Sequence, residues 1–563
     1  MRFVARALTL FAVMAFTLAA FAAHSDRPAA NAAAQSSQND PVAARIFAQE
    51  AKLVETMHTF TPLVETYIQT LQPDKDLGLV PQSDRYFLGR MVLNDQGVQD
   101  QIFQEKDNKM KQGFFSNIFA MKYIPKGFMQ LVFLDYDFNA QSYELKPLRQ
   151  QFLGEVRTLV YDVVPRAGLK GPHFVGRIWV EDQDYNIVRL NGTYQGHSGT
   201  KFYFHFDSWR MNMRPGLWLP AYIYTEETNE HYSYFRQLTM KGQTRIWGYD
   251  VKRGGSSSEF TSMQVEAPGA KDIADTSGVG PNEAAPVQSQ HQWEREAEDN
   301  VLDRMVRAGI LAPDGEVSKV MQTVVNNLEV TNNVNIEPEV RCRVLLTAPL
   351  ESFTIGHTIV VSRGLLDVLP DESSLAMVLA HELGNIALGH RINTQYAFTD
   401  RMIFTDEAIF RKFKLANSPA DELAADQKGL AFLQNSPYKD KLAEAGLFLR
   451  ALDAHSKNLP ALLNTHYGTA MATSTQVNRM PTLEQTAPQL EARNVSQVPA
   501  LPLGSRIKMD PWDDHIEMQK SKPGTLLSIR DKMSFEVTPT FLNLVRFKTE
   551  APDLAAKPSA ASK

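Results

Sequence analysis

The sequence predicts an α+β protein. An antiparallel β-rich domain covers residues 43–266, and a mostly helical domain with a small edge sheet covers 291–478. Three observations carry this. Apolar residues recur with period two through most of 61–265. A stretch rich in Gly, Pro, Ala, Ser and Asp at 267–290 separates the halves as a linker. Beyond it the apolar spacing becomes helical, around one buried helix. The 563 residues exceed one ordinary domain, and 43% hydrophobic content with 10% aromatic residues is ample for two cores. A net charge of −6 argues against a general nucleic-acid binder.

Arg2 and Arg6 lead into an apolar run at 7–21, with small residues at 20–23 suited to cleavage. Residues 1–23 therefore read as an export signal, the competing reading being an uncleaved membrane anchor. The expected location is the periplasm or cell envelope, with no membrane span after cleavage. Cys342 is the only cysteine, which excludes an intrachain disulfide and leaves a buried structural thiol. Residues 24–42 read as a disordered leader. Ile46, Leu53, Val54 and Met57 then recur at helical spacing over 43–58.

Strands follow at 63–71, 174–180, 185–190, 201–206 and 217–224, several separated by turns such as Glu181-Asp182-Gln183-Asp184. One helix followed by a long meander predicts a curved sheet or half-barrel. After the linker come helices at 293–308 and 317–328, then strand-like runs at 340–347, 352–353 and 358–362. Further helices are expected at 374–391, 419–434, 439–452 and 459–464, with the segment 400–415 between the first two. A C-terminal extension spans 479–550, and 551–563 is a solvated tail.

The central helix carries His381 and Glu382 within an apolar run. With His381 at zero on a helical wheel, Glu382 lies at about 100° and Asn385 at about 40°, so all three share one face. Two histidines at that spacing chelate zinc, and the glutamate after the first activates a bound water. Here Asn385 stands where the second histidine is needed. His390 falls at about 180° and is expected to point away. Gly384 costs roughly 1 kcal/mol in a helix, which predicts close packing there. On the helix at 419–434, opened by Ser418 and Pro419, Glu422 and Asp426 share a face. Glu422 suits a metal and Asp426 suits the task of orienting a ligand histidine.

These residues, S-R-G-L-L-D-V-L-P-D-E-S-S-L-A-M-V-L-A-H-E-L-G-N-I-A-L-G-H followed by E-L-A-A-D-Q-K-G-L, resemble the HtpX and CaaX-prenyl-protease family of gluzincin metallopeptidases over about 290–478. The resemblance implies a zincin-like fold and a Zn2+ cofactor held by His381, Asn385 and Glu422. It also implies Glu382 as general base and Asp426 behind the ligands. Ser352 and Phe353 would lie on a substrate-aligning edge strand that adds an extended or unfolded polypeptide as a further strand. An amide oxygen is a poor zinc ligand beside imidazole. Asn385 is thus a weak replacement, and impaired catalysis is the expectation. His466, in Thr465-His466-Tyr467, is a candidate for the missing imidazole; a surface histidine is the competing reading. The hairpin at 174–189 resembles those of lipoprotein-carrier (LolA-like) domains, implying a lipid or lipoprotein ligand; a β-domain that only docks the enzyme-like part is the alternative. The expected function is a zinc-dependent envelope endopeptidase for protein quality control. The alternatives are an inactive pseudopeptidase that binds clients or assembles a complex, and a lipid binder.

Overall fold

A computed structural model describes residues 40–94, 97–102, 134, 138–169, 173–195, 205–233, 236–249, 286–390, 415–473, 475–491, 493–494, 497, 507–510, 515–518 and 535–547. The export signal, most of the leader and linker, the final tail and the segment 400–415 lie outside these residues, apart from Leu415.

The first helix, α1 (Pro41–Met57), starts because the Asp40 side chain accepts the Val42 N–H at 2.9 Å and Pro41 fixes the first turn. It buries Ile46, Leu53 and Met57. Ten strands follow: β1 (Leu63–Asp74), β2 (Gly78–Asn94), β3 (Gly97–Ile102), β4 (Tyr143–Leu153), β5 (Val156–Pro165), β6 (His173–Glu181), β7 (Ile187–Gln195), β8 (Phe206–Arg214), β9 (Leu217–Ser233) and β10 (Arg236–Trp247). They form one antiparallel sheet in the order β3-β2-β1-β10-β9-β8-β7-β6-β5-β4. The expected antiparallel β-rich domain is this sheet. Gly176 on β6 faces Gly192 on β7, and a Cβ on Gly176 would meet the Gly192 Cα at 2.7 Å. The Phe174 ring fills that space.

Helix α1 is fixed to the sheet by charge. Arg210 on β8 donates two hydrogen bonds to the Glu50 carboxylate, at 2.6 and 2.7 Å, with Arg210 1% and Glu50 4% exposed. Such a buried fork holds position; removing one partner costs far more than the pair contributes.

The second part begins with α2 (Pro286–Arg307) and α3 (Glu316–Thr331). A three-stranded sheet follows, made of β11 (Arg341–Leu345), β12 (Ser352–Ile355) and β13 (Thr358–Ser362), with β12 at its edge as expected. Next come α4 (Arg363–Val368), the central α5 (Glu372–Ala387), α6 (Pro419–Gln434), α7 (Leu442–Ser456), α8 (Pro460–Leu463) and α9 (Pro481–Thr486). A short hairpin pairs β14 (Ile507–Asp510) with β15 (His515–Met518).

The two parts share a polar interface at the β2-β1-β10 end of the large sheet. Glu65 accepts the Ala348 N–H at 2.6 Å, and Arg245 pairs with Asp367 at 2.7 Å. Asp84 accepts the N–H groups of Ala461 and Leu462 at the start of α8, both at 2.8 Å. Trp247 donates to the Gly309 carbonyl at 2.7 Å. Residues 535–547 then run back over the large sheet. The Gln69 amide clamps this segment, donating to the Phe535 carbonyl and accepting from Val537 N–H at 2.8 Å. Glu536 pairs with Lys241, and Arg546 reaches Glu181 and Asp182 at 3.0 and 2.9 Å.

Candidate active site

Helix α5 is capped by Asp371, whose carboxylate accepts the Ser374 N–H at 2.8 Å, and residues 373–386 are all buried. Helix α6 is capped by Ser418, which accepts from Asp421 N–H at 3.2 Å. The two helices cross at paired glycines. A Cβ on Gly384 would lie 2.7 Å from the Ala425 carbonyl oxygen, and one on Gly429 would lie 2.7 Å from that of Ala380. The glycine inside the central helix is therefore a point of close approach, as predicted.

That crossing brings the acid pair of α6 to His381. Its Nδ1 lies 2.6 Å from Asp426 Oδ1, and its Nε2 lies 3.2 Å from Glu422 Oε2. Asp426 also accepts the Met480 N–H at 2.9 Å. Ser352, on the edge strand β12, donates to Glu382 at 2.7 Å. His381, Asn385, Glu422 and Asp426 are thus brought together around Glu382, and Ser352 touches the group.

Two expectations need correction. His390 does not point away. Helix α5 ends at Ala387, Gly389 adopts a left-handed φ of 70°, and the chain doubles back so that His390 Nδ1 sits 2.9 Å from Asn385 Oδ1. A helical wheel fails once the helix has stopped. Nor is His466 the residue delivered to the cluster. Its ring packs against Tyr86, 5.6 Å between centroids, and its backbone N–H goes to Glu351 at 3.1 Å. Glu351 also gathers the N–H groups of Tyr467 and Gly468. This loop lies against β12: the Tyr467 and Phe353 rings are 5.8 Å apart, and a Cβ on Gly468 would lie 2.5 Å from the Ser352 carbonyl.

The residue delivered instead is Arg479, placed by the sequence reading in the C-terminal extension. Its guanidinium is 2.9 Å from Glu382 Oε1 and 3.9 Å from Glu422 Oε2, and the side chain is 2% exposed. The signal for it is indirect: a buried Glu382 beside a partly buried Glu422 calls for a cation, and no spacing rule points to this arginine. Burial pushes the Glu422 carboxyl up, but the His381 hydrogen bond and the Arg479 charge outweigh it and bring it down to about 2. Burial and Arg479 push His381 down; its bonds to Asp426 and Glu422 win, and its pKa is raised. The Asn385 amide nitrogen lies 3.1 Å from His381 Nε2 and 3.5 Å from Glu382 Oε2, and its oxygen faces His390.

A zinc centre of this motif needs two imidazoles and a carboxylate around an open coordination position. These residues do not fit that description. One imidazole is absent, His381 Nε2 is engaged by Glu422 and Asn385, and the carboxylates hold Arg479. No side-chain nitrogen or oxygen of His381, Glu382, Asn385, Glu422 or Asp426 lies buried without a partner. Among the described residues, no three His, Cys, Asp or Glu side chains are placed to hold an ion.

Residues 314–408 match the family model described as Peptidase family M48. That match takes in β11 to β13 and helix α5 with His381 and Glu382, and supports the resemblance read from the motifs. This part of the chain is similar to that metallopeptidase family. Among solved structures, a DUF1329 family protein from Desulfovibrio piger is similar at 10% identity with a TM-score of 0.19, covering 40% of this chain and 100% of that one. No curated protein matches the chain.

Proposed function

We propose that this chain is a non-hydrolytic protein built on a metallopeptidase-type scaffold, working in the cell envelope as a binding or assembly component. The observation that carries the reading is the state of Glu382. The side chain that should deprotonate a metal-bound water is instead held by Arg479 at 2.9 Å and Ser352 at 2.7 Å, 1% exposed. A general base has to reach the proton it abstracts, within about 2.6–3.2 Å or through one water. Glu382 has no such access. Asn385 removes the second imidazole, so the site lacks both halves of the hydrolytic apparatus.

Partner recognition through β12 follows from the same scaffold. The strand keeps its edge position, so an extended polypeptide of little sequence preference suits it by strand addition. Such a partner has to displace Tyr467 and Gly468 from Ser352 and Phe353. Export is supported by the Arg2/Arg6 and apolar pattern; among the described residues, no helix is long and apolar enough to cross a membrane. The test is turnover of labelled casein by the purified full-length protein with added zinc, beside Glu382→Gln. Cleavage that Glu382→Gln abolishes would refute the reading.

A second reading, a lipid or lipoprotein at the β-domain, is favoured by one observation. Ser208 Oγ and Thr225 Oγ1 are fully buried without a partner on the sheet face shared by Phe206 and Ile223. Buried hydroxyls left without a partner are costly, and a ligand that parts the covering side chains would satisfy them. Mass spectrometry of an organic extract of the purified protein tests it; an extract free of lipid removes it.

A further inference from the structure

The candidate site carries a positive charge of its own, and we infer that Arg479, together with the missing imidazole at Asn385, keeps a metal ion out. The inference rests on the non-hydrolytic reading above and names the residue responsible for it.

Arg479 is held from both chain directions. The N–H groups of Asn478 and Arg479 both donate to the Met471 carbonyl, at 2.8 and 3.1 Å, closing the hairpin that delivers the side chain. On its other side, Met480 adopts a left-handed φ of 44° and gives its N–H to Asp426. A non-glycine residue in that conformation is held there by its surroundings. Burial lowers the Arg479 pKa, but Glu382, Glu422 and Asp426 outweigh it and raise it, so the guanidinium keeps its charge.

The guanidinium thus contacts the two carboxylates, general base and ligand, between which a dication of this motif would act. A metal ion arriving there meets a buried like charge. Expelling Arg479 would leave an arginine in the interior without its carboxylates, a heavy penalty. Restoring an imidazole at position 385 supplies a ligand and leaves the cation in place.

The expected result is therefore ordered. Full-length Asn385→His, equilibrated with zinc and desalted, carries no stoichiometric metal by plasma mass spectrometry. Asn385→His combined with Arg479→Gln carries about one zinc per chain, and its melting temperature rises with zinc and falls with EDTA. Stoichiometric zinc in the single variant would overturn the inference, and so would a folded double variant that stays metal-free. A stability cycle tests the cation's role even if that variant does not fold. Arg479→Gln lowers the melting temperature, and adding Glu382→Gln recovers much of the loss because the orphaned carboxylate is gone. Simple addition of the two losses would overturn it. Casein cleavage by the natural protein would sink the non-hydrolytic reading instead, and the zinc measurements would be read separately.

Discussion

Replacing Glu50 by Ala tests whether α1 is anchored to the large sheet by a buried ion pair. Arg210 is 1% exposed, with hydrogen bonds at 2.6 and 2.7 Å to Glu50 and one at 3.2 Å to the Ile187 carbonyl. Truncating Glu50 leaves the guanidinium one carbonyl partner in a place water does not reach. Breaking such a pair costs about 3–5 kcal/mol, a large share of the roughly 5–15 kcal/mol that holds a typical domain folded. At about 2–4 °C per kcal/mol for a domain of this size, the β-domain should melt on the order of 6–20 °C lower. Replacing both residues by Met should recover most of the loss, since the interior then holds no unpaired charge. Urea unfolding followed by circular dichroism reads both. A loss below about 1 kcal/mol for Glu50→Ala, the range of an exposed pair, would refute the argument.

Other outcomes follow from the site. Gly384→Ala gains about 1 kcal/mol of helix propensity, but its Cβ would lie 2.7 Å from the Ala425 carbonyl, a rigid neighbour. Overpacking costs about 1–3 kcal/mol, so the urea midpoint should fall; a raised midpoint would contradict the close crossing. Dialysis against EDTA should leave the melting temperature of the natural protein unchanged, and a drop restored by zinc would count against the misfit. Glu422 is held at about 2, below its ordinary 4.5. Its depressed pKa contributes stability that is complete above 4.5 and is lost as pH falls toward 2. Acid titration followed by tryptophan fluorescence should therefore show a loss in that window that Glu422→Gln flattens. Gln69→Ala with Lys241→Ala should loosen residues 535–547, seen as faster tryptic cleavage at Arg546; an unchanged rate would argue that these contacts contribute little.

Much of the peptidase-like part was legible because its chemistry is local. Ser418 and Pro419 announced α6 to the residue, and the spacing of Glu422 and Asp426 placed both on the face that meets His381. Gly384 announced a crossing without saying what crosses. The large sheet was half legible. Alternation gave β1, β6, β7 and β9, while β2, β3, β4, β5, β8 and β10 went unread; the run expected at 201–206 meets β8 only at Phe206, and 201–204 lie outside the described residues. Polar residues buried against the other part or the returning C-terminal segment explain some of this: Asp84 on β2 and Lys241 and Arg245 on β10 interrupt the pattern that marks a strand. Arg479 was illegible for a related reason. Its partners lie 97 and 57 positions away, so its meaning is set by tertiary placement alone.

The segment at 535–547 has a consequence in time. Gln69 sits in the first strand of the large sheet, yet its amide waits for Phe535 and Val537, 466 and 468 residues later. Contacts of such sequence separation are slow to form, because nearly the whole chain must be ordered before they are rewarded. While the chain emerges from the N-terminus onward, the sheet face around Gln69, Lys241 and Trp209 stands open until its last stretch is delivered. A protein assembled in that order completes its first domain last, and a nascent chain lacking residues 535–547 exposes strand surface to every neighbour it meets.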